Sequence, residues 1–130
     1  MIPLSRADIY YAPVKRNGET RGPAVLVTEL SVPDANDASP TVRADGREIL
    51  FWSNRAGAPG GSAVMVSTRL SIHHAWSEPE FLGPPVNSEF SSIHPNLSGG
   101  GRTLLFVSFN RPGGFGAQDI WMSTRTPSGR

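Results

Sequence analysis

The chain has 130 residues, the length of one ordinary domain. Its 12 lysines and arginines nearly balance 11 aspartates and glutamates, for a formal charge of +1. With no basic stripe or acidic tail in the sequence, neither nucleic acid nor an anionic membrane surface is an expected partner. There is no cysteine, which excludes disulfides and thiolate metal sites.

Apolar runs reach about six residues against the roughly 20 needed to span a bilayer, so no membrane insertion is expected. The opening residues MIPLSRADIYY lack the basic start and long apolar stretch of a signal peptide. Glycine (14) and proline (12) make up about a fifth of the chain, which suits many tight turns between short strands. The apolar residues are clustered in short runs, unlike those of a disordered segment.

In chain order, Ile9–Arg16 is expected to be a strand closed by the turn pair Asn17-Gly18, followed by a strand over Ala24–Glu29. Pro33–Ser39 reads as loop. Ser39–Arg43 reads as a short strand ending at the hairpin signal Asp45-Gly46, and Glu48–Asn54 as its partner. Ala56–Gly61 is loop, Ser62–Arg69 strand, His73–Trp76 turn, Glu80–Gly83 a short outer strand and Pro84–Ser92 loop. His94–Arg125 then supplies three strands separated by the glycine-rich turns GGG and PGGFG. Alternation along EILFWSN puts apolar groups on both faces, as for a strand buried between two layers.

The sequence repeats. SPTVRADGREILFWSNRAGAPGGSAVMVSTR (Ser39–Arg69) aligns with HPNLSGGGRTLLFVSFNRPGGFGAQDIWMSTR (His94–Arg125). Pro40 and Pro95, Gly46 and Gly101, Arg47 and Arg102, and Phe51 and Phe106 are each 55 apart. Arg55 and Arg111, like Arg69 and Arg125, are 56 apart, because FVSFNR carries one residue more than FWSNR. A partial third copy opens the chain: Asp8-Ile9-Tyr10 matches Asp119-Ile120-Trp121, 111 residues on.

A period near 55 filled only by strand and turn signals implies an all-β fold of antiparallel β-propeller blades, typically four strands each. The chain then supplies the third and fourth strands of one blade (1–32), a complete blade (33–88) and the first three strands of another (89–130). A closed propeller takes about four to eight blades, so the chain is expected to be a fragment of a larger propeller, with assembly from short subunits as the alternative. Either way the end blades would expose apolar faces and strand edges, and self-association through them is expected.

The motif P-x-L-S-x-x-G-x-x-L-x-F-x-S-x-x-R followed by G-x-G-x-x-D-I-W-x-S-x-R resembles the WD-repeat-like propeller repeat of TolB-type bacterial proteins. It is carried by Pro95, Leu97, Ser98, Gly101, Leu104, Phe106, Ser108, Arg111, Gly114, Gly116, Asp119, Ile120, Trp121, Ser123 and Arg125. The middle copy carries it through Pro40, Asp45, Gly46, Ile49, Phe51, Ser53, Arg55, Gly57, Ser67 and Arg69. Two departures stand out. Gly100 replaces the usual Asp before the turn glycine, and Ala63-Val64-Met65 replaces Asp-Ile-aromatic. The resemblance implies a six- or seven-bladed, commonly exported (periplasmic or extracellular) propeller that binds a protein partner. It also allows the non-catalytic propeller of a serine peptidase.

No catalytic, cofactor-binding or metal-binding residue is assigned, and no cofactor is expected. There is no G-x-S-x-G, and the glycine-rich runs precede no helix. Asp8 and Asp119 would be ligand-facing carboxylates if functional, but as turn residues they accept backbone N–H bonds, and this is the reading adopted. Arg55, Arg69, Arg111 and Arg125 recur with the repeat, which points to structural work such as pairing with those aspartates. His73 and His74 are adjacent, and with His94 they lack metal-ligand spacing. Asp34-Ala35-Asn36-Asp37 lacks the glycine and terminal Glu of a calcium loop and reads as a solvated loop. Trp52, Trp76 and Trp121 could stack on sugars but are expected to fill space between blades. A carbohydrate-binding propeller and the propeller of a glycoside hydrolase remain open alternatives.

Overall fold

The computed structural model describes residues 6–126. Residues 1–5 and 127–130, the outer ends of the first and last expected segments, lie outside the described residues. The described chain is all-β and antiparallel, with two short 3-10 turns, Thr28–Leu30 and Pro59–Gly61. Strands β1 (Tyr10–Tyr11) and β2 (Val25–Leu26) form a two-stranded sheet. Strands β3 (Asp37–Val42), β4 (Glu48–Ser53), β5 (Ala63–Thr68) and β6 (Glu80–Phe81) form a four-stranded sheet in chain order. Strands β7 (Ser92–Leu97), β8 (Thr103–Phe109) and β9 (Gln118–Thr124) form a three-stranded one. No helix among the described residues is long and apolar enough to cross a membrane.

The four-stranded sheet is buried on both faces. Ile49, Phe51 and Met65 pack against Ile9, Val27 and Leu30, which flank the strands of the first sheet. Leu50, Val64 and Val66, which point the other way, pack against Leu97, Leu104 and Phe106 from the third. Each such side chain contributes about 2 kcal/mol when fully buried. Strict alternation along β4 and β5 decides which neighbour each residue meets.

Positions 55 or 56 apart hold corresponding places in the two larger sheets. Leu50 pairs with Val66 and Trp52 with Val64, as Leu105 pairs with Met122 and Val107 with Ile120. The expected turn at Asp45-Gly46 forms: Gly46 N–H donates to the Arg43 carbonyl at 2.8 Å, and Asp45 accepts the Arg47 N–H at 3.0 Å. Gly46 has φ 75°, and a Cβ there would lie 2.8 Å from the Ile72 side chain, so only glycine fits.

Four expectations need correction. The strand expected over Ala24–Glu29 shrinks to Val25–Leu26, with Thr28–Leu30 turning as a 3-10 segment. The strand expected over Ile9–Arg16 shrinks to Tyr10–Tyr11 with one isolated bridge, Val14–Thr20. Pro13, inside that span, has no N–H to donate to a ladder. The expected loop Pro33–Ser39 gives way at Asp37, where β3 already begins. The register of β3 on β4 slips between Ala38 and Thr41, and that of β7 on β8 slips between Ile93 and Asn96. At both slips a residue preceding proline, Ser39 or His94, has positive φ (55° and 51°). Proline cannot donate to the ladder, and a bulge takes it out of register. The solvated-loop reading of Asp34–Asp37 fails at Ala35 and Asp37, which are both buried.

Candidate functional site

The recurring arginines build the joints between sheets. Arg55 donates to Ser53 Oγ at 3.0 Å, to the Leu30 carbonyl at 2.8 Å and to the Asp37 carboxylate at 2.8 Å. Arg111 repeats this one copy later, on Ser108 Oγ, the Val86 carbonyl and Ser92 Oγ, at 3.1, 2.8 and 3.1 Å. Ser92 stands where Asp37 stands, so the second joint lacks the carboxylate. Arg111 lies near the rings of Phe106 and Trp121, and burial pulls its pKa down. The expected partnership of these arginines with Asp8 and Asp119 is replaced by partnership with Asp37 and carbonyls. Asp119 instead accepts the backbone N–H groups of Phe115 and Gly116 at 3.0 and 3.1 Å, which shapes its turn.

A second pair of joints lies at the opposite end of the strands, around the β3–β4 and β7–β8 hairpin turns. Arg69 Nε donates to the Gly46 carbonyl at 2.7 Å, and Arg125 Nε to the Gly101 carbonyl at 2.5 Å. Glu48 heads β4 and is completely buried. Both terminal nitrogens of Arg125 grip its carboxylate as a fork from the neighbouring sheet, and Arg43 reaches it at 3.3 Å. Arg43 also donates to Asp45 at 2.9 Å, and Arg47 lies 3.4 Å from the other Asp45 oxygen. That bond to Arg43, with the Arg47 N–H, holds the Asp45 carboxyl down to about 2 and raises the Arg43 pKa. The turns also meet directly, Ala44 N–H donating to the Gly99 carbonyl at 2.9 Å.

At the bulges β3 and β7 touch. Ser39 Oγ lies 2.9 Å from His94 Nδ1 and accepts from Trp52 Nε1 at 3.2 Å, while the Trp52 and His94 rings meet edge-on. With Trp52 donating to it, the hydroxyl is free to donate to His94. No carboxylate among the described residues pairs with His94, so this is a sheet-to-sheet contact rather than a charge-relay arrangement. His73 and His74 sit in the expected turn, His74 against Ser71 Oγ at 2.8 Å. Among the described residues no three His, Asp or Glu side chains gather as metal ligands. Trp76 lies 3.9 Å beneath the Arg69 guanidinium, and Trp121 packs against the second core cluster. Asp8 lines an open hollow of about 350 Å3 with Arg6 and Asp34, themselves paired at 2.5 Å.

Between the larger sheets, beside Glu48 and Arg125, lies a cleft of about 260 Å3 lined by Leu50, Val66, Pro85 and Leu104. That is below the about 300–1,000 Å3 of typical small-molecule sites. The more prominent surface is the outer face of the third sheet, where Leu105, Ile120 and Met122 are 42, 75 and 65% exposed.

Several working residues were not singled out from the sequence. Glu48 had one readable sign, a lone charge heading the apolar run EILFW. Ser39 had another, the X-Pro pair it shares with His94. Asn87 had none: it is buried and bonds both the N–H and the carbonyl of Val64 at 2.8 Å, extending the edge of β5. No protein-family model matches the chain, and no curated protein matches it.

Proposed function

We propose that the three sheets are successive blades of a β-propeller, and that the chain is a non-catalytic, TolB-like scaffold that binds other proteins. One observation carries this reading: the same face is covered in one copy and open in the next. Leu50, Val64 and Val66 are buried by the third sheet, whereas their counterparts Leu105, Ile120 and Met122 are exposed. An apolar face of this kind on a sheet marks a docking surface. A further blade, bringing side chains like Leu97, Leu104 and Phe106, has the matching shape. The recurrent arginine joints supply a fixed geometry from one blade to the next.

The reading is tested by light scattering on the purified 130-residue chain. The wild type associates with rising concentration, and the double variant Ile120→Asp/Met122→Asp stays monomeric with an unchanged far-ultraviolet spectrum. A wild type that remains monomeric at every concentration, with the variant indistinguishable from it, overturns the assignment of that face to blade packing.

A further inference from the structure

We propose that the hairpin-turn end of the two larger sheets docks an acidic protein segment carrying leucine-like side chains. The inference takes from the scaffold reading only that the occupant is a protein, and it does not depend on blade packing. Five arginines gather there: Arg43, Arg47, Arg69, Arg102 and Arg125. They are contiguous. Arg43 and Arg47 share Asp45, Arg43 and Arg125 share Glu48, and Arg69 is fixed on Gly46 of the same turn. Arg102 occupies in the second turn the place of Arg47 in the first.

Two carboxylates, Asp45 and Glu48, answer these five guanidinium groups, and a third, Glu29, accepts the Trp76 N–H beside Arg69, leaving a formal charge of about +2 at this end. The excess has a sequence origin. In the second hairpin Gly100 replaces Asp45 and Thr103 replaces Glu48. As a result Arg102 has no ion pair among the described residues. Neither has Arg69, which keeps its Nε on a carbonyl and its flat face over Trp76. The fork that Arg125 makes on Glu48 shows which ligand geometry these groups accept, a planar carboxylate.

Apolar contact separates a peptide from other polyanions. Leu70 and Ile72 are 78 and 61% exposed and stand beside the arginines. Leu70 lines with Arg43, Arg47 and Arg69 an open hollow of about 300 Å3, and Ile72 packs over Gly46. A polyphosphate or sulfated polysaccharide matches the charge but brings nothing for Leu70 and Ile72. An acidic segment with interspersed leucines matches both.

The test is fluorescence anisotropy on the 130-residue chain with a short fluorescein-labelled peptide of alternating glutamate and leucine. Binding is expected at low salt and is lost at about 1 M salt, where the Debye length falls to about 3 Å. Arg47→Gln/Arg102→Gln changes two exposed side chains and weakens binding about tenfold or more. Leu70→Ser/Ile72→Ser weakens it about threefold, by loss of apolar burial. Absence of binding, or equal binding of a glutamine–leucine peptide, overturns the proposal. So does displacement of the peptide by inorganic polyphosphate that binds Leu70→Ser/Ile72→Ser as tightly as wild type, which identifies a general polyanion site. A peptide that fails to bind while association through Ile120 and Met122 persists removes this inference and leaves the propeller reading standing. Binding without association does the reverse.

Discussion

The β4–β5 hairpin and the β8–β9 hairpin have the same register and nearly the same apolar pattern, yet one is sealed on both faces and the other on one. Leu50 and Leu105 are counterparts. The first is 3% exposed in a core cluster, and the second lies on an open face. The difference lies not in the strands but in what stands beside them. Apolar side chains on a sheet favour a covering layer, and the third sheet is covered on one of its two faces.

The charged joints differ between copies in the opposite way, through side chains rather than surroundings. Asp37, Asp45 and Glu48 in the first copy become Ser92, Gly100 and Thr103 in the second, and Arg43 becomes Ser98, while Arg47, Arg55 and Arg69 recur as Arg102, Arg111 and Arg125. The first copy therefore pairs Arg43, Arg47 and Arg55 with its own carboxylates, and its Glu48 also holds Arg125 of the second copy. Arg102 and Arg111 of the second copy have no ion pair among the described residues.

The largest expected effect tests the sealed face against the open one. Leu50→Ala lowers unfolding free energy by about 3 kcal/mol, the range for a buried leucine, and Leu105→Ala by less than about 1 kcal/mol. Urea unfolding of dilute protein measures both, and equal losses would show that the two faces are equally covered in solution. Next in size is Glu48→Gln, which leaves Arg43 and Arg125 without their shared carboxylate. A loss of about 2 kcal/mol is expected, less than for fully buried pairs because both arginines reach solvent. Thr103→Val, at the corresponding place, changes stability by under about 0.5 kcal/mol in the same assay.

The smallest effect is that of Asp45, and it depends on pH. Its pKa is lowered in the folded chain from 3.8 to about 2, so the folded state favours the ionised form. Its contribution is complete above the unfolded value near 3.9 and fades as pH falls through about 2. Asp45→Asn therefore melts below wild type at neutral pH, and the two melting curves converge toward pH 2. A constant gap between the curves at every pH would show that the carboxylate's charge plays no part in holding the turn.

Much of this was legible in the residues. The glycines at 46 and 101, 55 apart, locate the hairpin turns because a positive φ next to crowded side chains admits only glycine. The alternation in EILFWSN locates a strand covered on both faces. Strand ends were less legible. Pro13 cuts one short, and the bulges at Ser39 and His94 let another start early, because ladder formation depends on a partner's register. Asp37 shows the same limit for charges. It reads as part of an acidic loop, and only Arg55, 18 residues away, makes its burial tolerable.

By itself the sequence determined an all-β antiparallel chain with a repeat near 55 residues, since alternation and turn chemistry are local properties. It also determined which residues recur. Only the tertiary structure decided what the recurrence is for. A net charge of +1 spread evenly along the chain carries no basic patch, yet folding brings five arginines to one end of two sheets. Strand ends far apart in sequence meet when hairpins stack, and the charge of a surface is the sum over what stacks there.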